Sequence, residues 1–203
     1  MTFLPGMVVG ISIAAPVGPI ALLCLRRSLT DGRMVGFVSG LGAATADTLC
    51  GAVAAFGLSA LLALVRQFHT ALEAGGGIFM IVLGVHILRT PPAAADFSPA
   101  HARNLRAAYG STLLLTLANP MTILSFAGVA AALGREVIGT TPWTASQFVA
   151  GVFSGSALWW FLWRGAAGWF RQHLGPGMLR WVNRLAGAGI AVFGAAQLVR
   201  LAW

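Results

Sequence analysis

Apolar residues run along this chain in long stretches broken by short polar segments, without the period-two alternation of a β-barrel strand. Six stretches are long enough to be membrane helices, since about 20 apolar residues cross a hydrocarbon layer of about 30 Å. They lie at Phe3–Leu25, within Met34–Val65, at Leu72–Leu88, Gly110–Leu133, Ser146–Trp163 and Leu185–Ala202. In lipid the backbone must satisfy its own hydrogen bonds, so these stretches are expected to be helical. The pattern therefore predicts an all-α membrane protein with six transmembrane helices. The second stretch exceeds the bilayer thickness and needs tilt or an extension beyond it.

Composition strengthens this reading. The 203 residues are 58% hydrophobic and 9% charged, whereas soluble domains carry about a quarter charged residues. Mean hydropathy is +0.82. All 13 basic residues are arginine, and the net charge is +8. They sit between apolar runs rather than on one polar face, which argues against nucleic acid as a partner. Cys24 and Cys50 lie inside apolar runs and imply neither a disulfide framework nor a metal site. No basic region precedes Phe3, so the first run is not expected to be a cleaved signal peptide.

The arginines also predict orientation. Arg26, Arg27 and Arg33 fall in the first loop, Arg89, Arg103 and Arg106 in the third, and Arg164, Arg171, Arg180 and Arg184 in the fifth. Ten of 13 are thus on one side, which the positive-inside rule assigns to the cytoplasm, leaving both termini outside. The segment Gly165–Asn183, with Trp169, Phe170 and Trp181 among its arginines, is expected to lie flat at the interface. Trp143, Trp163 and Trp203 suit interfacial anchors.

The chain divides into two related halves. Phe37-Val38-Ser39-Gly40 returns as Phe148-Val149-Ala150-Gly151, 111 residues on, and Gly77 and Gly84 match Gly187 and Gly194 at an offset of 110. Three spans per half put the second half upside down, giving two inverted three-helix repeats. The expected organisation is residues 1–89 for the first repeat, 90–109 for a cytoplasmic linker with Pro91, Pro92 and Pro99, and 110–203 for the second repeat.

Three unusual features fall at similar depth. The first span carries Pro16-Val17-Gly18-Pro19; Pro16 and Pro19 withhold hydrogen bonds from the carbonyls of Ser12 and Ala15, with Gly18 expected to supply unusual dihedrals. The fourth carries Asn119-Pro120, expected to free the carbonyl of Thr116, flanked by the hydroxyls of Thr116 and Thr122. Broken helices leave positive amino ends and negative carboxyl ends inside the membrane, which suits the two charges of an amino acid. Asp47 is the one carboxylate deep in a span, ten residues beyond Phe37 and so about 15 Å deep. A carboxylate at that depth costs about 2.5 kcal/mol or more. It suits proton exchange or pairing with a substrate ammonium; a protonated carboxyl bonded to Thr45, Thr48 or the backbone is the structural alternative. His86, Ser154 and Ser156 read as interfacial or packing residues, and Trp159 and Trp160 as facing lipid or walling a cavity. Gly6/Gly10, Gly36/Gly40 and Gly151/Gly155 have the spacing of close helix crossings. No phosphate loop, zinc cluster or nucleophile triad is visible, so neither an enzyme nor a cofactor is expected.

The stretch Ser12-Ile13-Ala14-Ala15-Pro16-Val17-Gly18-Pro19-Ile20, followed by Arg26-Arg27-Ser28-Leu29, Asp31-Gly32-Arg33 and Gly40 to Asp47, resembles the N-terminal signature of the LysE/RhtB translocators. Thr116-Leu117-Ala118-Asn119-Pro120 and Thr122 to Phe126 resemble that family's second motif, so the resemblance covers nearly the whole chain. It departs from the more common Pro-Gly-Pro form by an inserted valine. It implies a bacterial inner-membrane exporter of amino acids or related small metabolites, driven by protons. Its implied site residues are Pro16, Gly18, Pro19, Asp47, Asn119 and Pro120, to which the residue reading adds Thr116 and Thr122. Expected partners are the amino-acid substrate, protons and membrane lipid, with a homo-oligomer left open. The competing readings are an exporter of inorganic or metal cations, disfavoured by a single carboxylate without clustered His or Cys, and a non-transporting membrane scaffold.

Overall fold

The computed structural model describes the chain except residues 1, 17, 57–68, 90–103, 120–121, 124, 130–132, 134–137, 174–175 and 203. Among the described residues the fold is all-helical, without strands. Among the described residues these helices follow one another: α1 Phe3–Ala14, α2 Pro19–Thr30, α3 Arg33–Phe56, α4 His69–Arg89, α5 Leu105–Leu117, α6 Pro142–His173 and α7 Pro176–Ala202.

Local chemistry explains several boundaries. Proline at the first position starts α2, where its missing N–H has no intrahelical partner to lose. Between α2 and α3 the chain reverses at Gly32, whose φ of +108° is closed to most side chains. Thr141 opens α6 by accepting from the Thr144 amide at 3.3 Å, with Pro142 at the first helical position.

Two helices, Arg33–Phe56 and Arg180–Leu201, are long and apolar enough to cross a membrane, and α1 with α2 makes a third span if the bent pair counts as one. The outward face is rich in apolar side chains: Leu4, Val8, Val82, Leu114 and Val192 are 61 to 65% exposed. A belt of this kind is at home in hydrocarbon and a liability in water.

Inside, α1, α3 and α6 share one cluster around Val9, Phe148 and Val152, while α2, α4, α5 and α7 share another around Leu23, Met80, Leu115 and Ile190. Glycine lets the backbones meet. A Cβ on Gly6 or Gly10 would fall on the carbonyl of Phe148 or Val152, and one on Gly151 or Gly155 on that of Phe3 or Met7. On the other side, Gly77 meets Gly194 and Gly84 meets Gly187 across the α4–α7 crossing.

Several expectations change. The stretch Phe3–Leu25 is two helices bent by 80°, the second reaching Thr30. Arg26 and Arg27 are therefore helix residues, not loop residues. Gly165–Asn183 is not a separate interfacial element: α6 continues to His173, about 48 Å at 1.5 Å per residue over its 32 residues, and α7 starts at Pro176. Leu105 to Tyr109, expected in the linker, belong to α5, which ends at Leu117 rather than running on to Leu133. The linker prolines Pro91, Pro92 and Pro99 and the far end of the second stretch lie outside the described residues, as does Trp203.

Candidate functional site

The first helix break begins where the Ala15 amide makes its last bond, to the Ile11 carbonyl at 2.9 Å. α2 then starts from Gly18, and the Leu22 amide bonds the Gly18 carbonyl at 3.0 Å. The first amides of a helix have no intrahelical acceptor, so this break turns a positive backbone end inward. Gly18 has φ −129° and ψ −170°, an extended conformation open to any residue. It was expected to supply unusual dihedrals; the backbone needs none there, and a Cβ would meet nothing within 4 Å.

The second break follows α5. The Asn119 amide turns back to the Thr116 carbonyl at 3.2 Å, and the Thr122 amide bonds the Asn119 carbonyl at 3.1 Å. The Thr116 carbonyl, expected to be freed, is thus engaged by a tight turn. The Ala118 carbonyl takes a bond from Gln197 Nε2 of α7 at 3.4 Å. Pro120 lies outside the described residues.

Asp47 is 4% exposed on α3. Thr45 and Thr48, its expected partners, donate to the carbonyls of Leu41 and Ala44 on their own helix. The bond to Asp47 comes from Ser156 of α6, whose Oγ donates to Oδ2 at 2.8 Å. Ser156 is fully buried at the face where small residues let α6 approach. Its packing role and its bond to the carboxylate are therefore one feature.

A cavity of about 640 Å³ joins these elements. Pro16, Gly18 and Pro19 line it from the first break, Thr116, Asn119 and Thr122 from the second, and Asp47 from α3. Seven of the eight residues singled out from sequence thus meet in one space. Trp160 walls it and is buried, which decides for a cavity wall over lipid. Sequence reading missed the contribution of α7, where Phe193, Ala196, Gln197 and Arg200 line the cavity. Their spacing of three and four puts them on one helix face. A glutamine and an arginine three residues apart in an apolar span were the available signal.

A polar layer crosses the bundle on one side of this cavity. Arg27 Nη1 donates to Ser39 Oγ at 2.9 Å, the Ala108 carbonyl at 3.0 Å and Thr112 Oγ1 at 2.9 Å. Its Nη2 donates to Ser111 Oγ at 2.9 Å. Arg26 Nε donates to Asn183 Oδ1 at 2.7 Å and its Nη1 lies 3.5 Å from Asp31. Asn183 in turn donates to the Ile87 carbonyl at 2.7 Å. Two adjacent arginines of α2 thus tie α3, α5, α7 and α4 together. On α3 and α5 the partners of Arg27 precede the cavity residues, and on α7 Asn183 precedes Phe193. The layer therefore lies toward one end of the cavity, and Arg200 toward the other.

A bent helix pair beside an apolar cavity with one buried carboxylate defines the class among the described residues: a helical membrane protein. The chain belongs to the LysE type translocator family, whose model matches residues 11–200. It is 28% identical over 95% of its length to "Putative amino acid efflux protein YcgF" of Bacillus subtilis (strain 168), covering 92% of that protein. It is also 28% identical over 97% of its length to "Chemotactic transduction protein ChpE" of Pseudomonas aeruginosa PAO1, covering 96% of it. A third relative, "Uncharacterized membrane protein YahN" of Escherichia coli (strain K12), is 26% identical over 70% of the chain and 64% of its own length. No solved structure matches.

Proposed function

We propose that the protein exports amino acids or closely related small metabolites across the bacterial inner membrane by proton-coupled alternating access. The observation that carries this is the meeting of Asp47 with both helix breaks in one cavity. The amino end of α2 favours a carboxylate, and the carbonyl end of α5 and Asp47 favour an ammonium. Asp47 accepts either a proton or the ammonium, so release of one accompanies binding of the other.

The six-span, inverted-repeat reading has support from packing. Exchanging the halves carries α1 onto α5, α3 onto α6 and α4 onto α7. The α1–α6 interface then becomes the α3–α5 interface, both extensive, and the Gly77–Gly194 pair becomes Gly187–Gly84. In this reading the arginine layer lies on the cytoplasmic side and both termini face outward. The arginine layer then stands between the cavity and the cytoplasm, as expected of one of the two states that rocking halves exchange. Of the competing readings, metal-cation export gains nothing from a cavity with one carboxylate. Among the described residues, moreover, no three of His, Cys, Asp or Glu cluster.

A growth screen tests the reading. Cells overexpressing the protein are challenged with toxic amino acids and analogues alongside metal salts. Resistance confined to amino-acid-like compounds is expected. Resistance to metal salts alone, or to nothing while the protein is present in the membrane, contradicts it.

A further inference from the structure

Among the described residues, the cavity lining contains two charged side chains of opposite sign, Asp47 and Arg200. They occupy different helices and different environments. Asp47 is buried and bonded to Ser156, while Arg200 is exposed near the end of α7. Arg200 makes no ion pair with another described residue, unlike Arg26, which pairs with Asp31. The rest of the lining is largely apolar, with Ile13, Ile20, Met80, Trp160 and Phe193 among it.

We infer that the cargo is a zwitterion of zero net charge with an apolar side chain, and that Arg200 takes its carboxylate. This deepens the exporter reading and rests on it. A solute ammonium at Asp47 leaves a carboxylate to be satisfied in the same low-dielectric space. Leaving an ion unpaired there is expensive. A guanidinium offers a carboxylate two parallel N–H donors, and the amino end of α2 adds backbone N–H groups. The charges then close: one carboxylate and one guanidinium from the protein, one ammonium and one carboxylate from the solute. A basic side chain would bring a second cation with no second carboxylate to meet it. An acidic one would bring a second anion against a single guanidinium. The apolar wall leaves room for a hydrocarbon or aromatic side chain and gives nothing to a charged one.

The test uses the full chain in vesicles preloaded with L-leucine, its decarboxylated counterpart 3-methylbutylamine, its deaminated counterpart 4-methylpentanoate, or L-lysine. Saturable leucine efflux is expected, with the other three at least about tenfold less efficient, the worth of one charge-assisted hydrogen bond. Arg200→Gln should raise the half-saturating leucine concentration by about ten- to a hundredfold, leave efflux of the amine unchanged, and be partly rescued by Arg200→Lys. Circular dichroism checks that the helices of each variant are intact. Leucine efflux with unchanged half-saturation in Arg200→Gln defeats the assignment of Arg200. Lysine exported as well as leucine defeats the charge rule. Both leave the exporter reading standing, whereas no movement of any of these solutes by the unmutated protein overturns that reading and this inference with it.

Discussion

The Ser156 hydroxyl donates to Asp47 Oδ2 at 2.8 Å across the α3–α6 interface. Neither residue is paired with a charge among the described residues, so a single neutral donor holds the buried carboxyl in position. Ser156→Ala removes that donor without adding volume. Transport is expected to fall by about three- to tenfold, the range of one buried hydrogen bond, while the protein stays folded. Vesicle efflux alongside thermal unfolding in detergent measures both.

The arginine layer predicts a different failure. Arg27→Leu removes the charged donor shared by Ser39, Ser111, Thr112 and the Ala108 carbonyl and leaves them only the bonds within their own helices. A loss of about 3 kcal/mol is expected from several hydrogen bonds to one charged group. Arg27→Lys keeps the charge but not the planar fork and should recover only part of it. Denaturation in detergent reads the stability. With the layer standing between the cavity and the cytoplasm, a cysteine placed at Thr116 should react with an impermeant thiol reagent from the cytoplasmic side faster in the Arg27→Leu background than with Arg27 present.

Two glycines separate packing from site. Gly151→Val drives a side chain into the Phe3 carbonyl and the backbone of α1, so about 3 kcal/mol or more is expected to be lost. Gly18→Ala meets nothing within 4 Å and needs no special φ, so the melting temperature should hold. Its added methyl group enters the cavity, and transport should fall with Gly18→Val below Gly18→Ala. Equal loss of stability in both positions would refute the distinction.

Much of this was legible beforehand because the unusual residues are expensive where they stand. A carboxylate, two prolines around a glycine and an Asn-Pro pair have no reason to lie in apolar runs unless something uses them, and those described meet in the cavity. The bend was readable as a break at Pro16 and Pro19, but its 80° angle was not. Dihedral choice after a proline break depends on what α2 packs against. Arg26 and Arg27 looked like loop residues because an isolated guanidinium is costly in lipid. Only the folded bundle shows that hydroxyls and a carbonyl from α3 and α5 surround Arg27. Ser156 and Arg200 were hidden for the same reason: their meaning depends on which helix stands opposite, and local pattern does not encode that.

Efflux from vesicles under an imposed pH gradient tests the role of Asp47 most directly. With the unmutated protein, accumulated amino acid should leave faster when the gradient drives protons inward through the carrier. Asp47→Asn keeps an acceptor for Ser156 and the shape of the cavity, so it should fold. Its efflux should be at least about tenfold slower or indifferent to the gradient. Asp47→Asn exporting at the unmutated rate, with the same response to pH, would contradict the account.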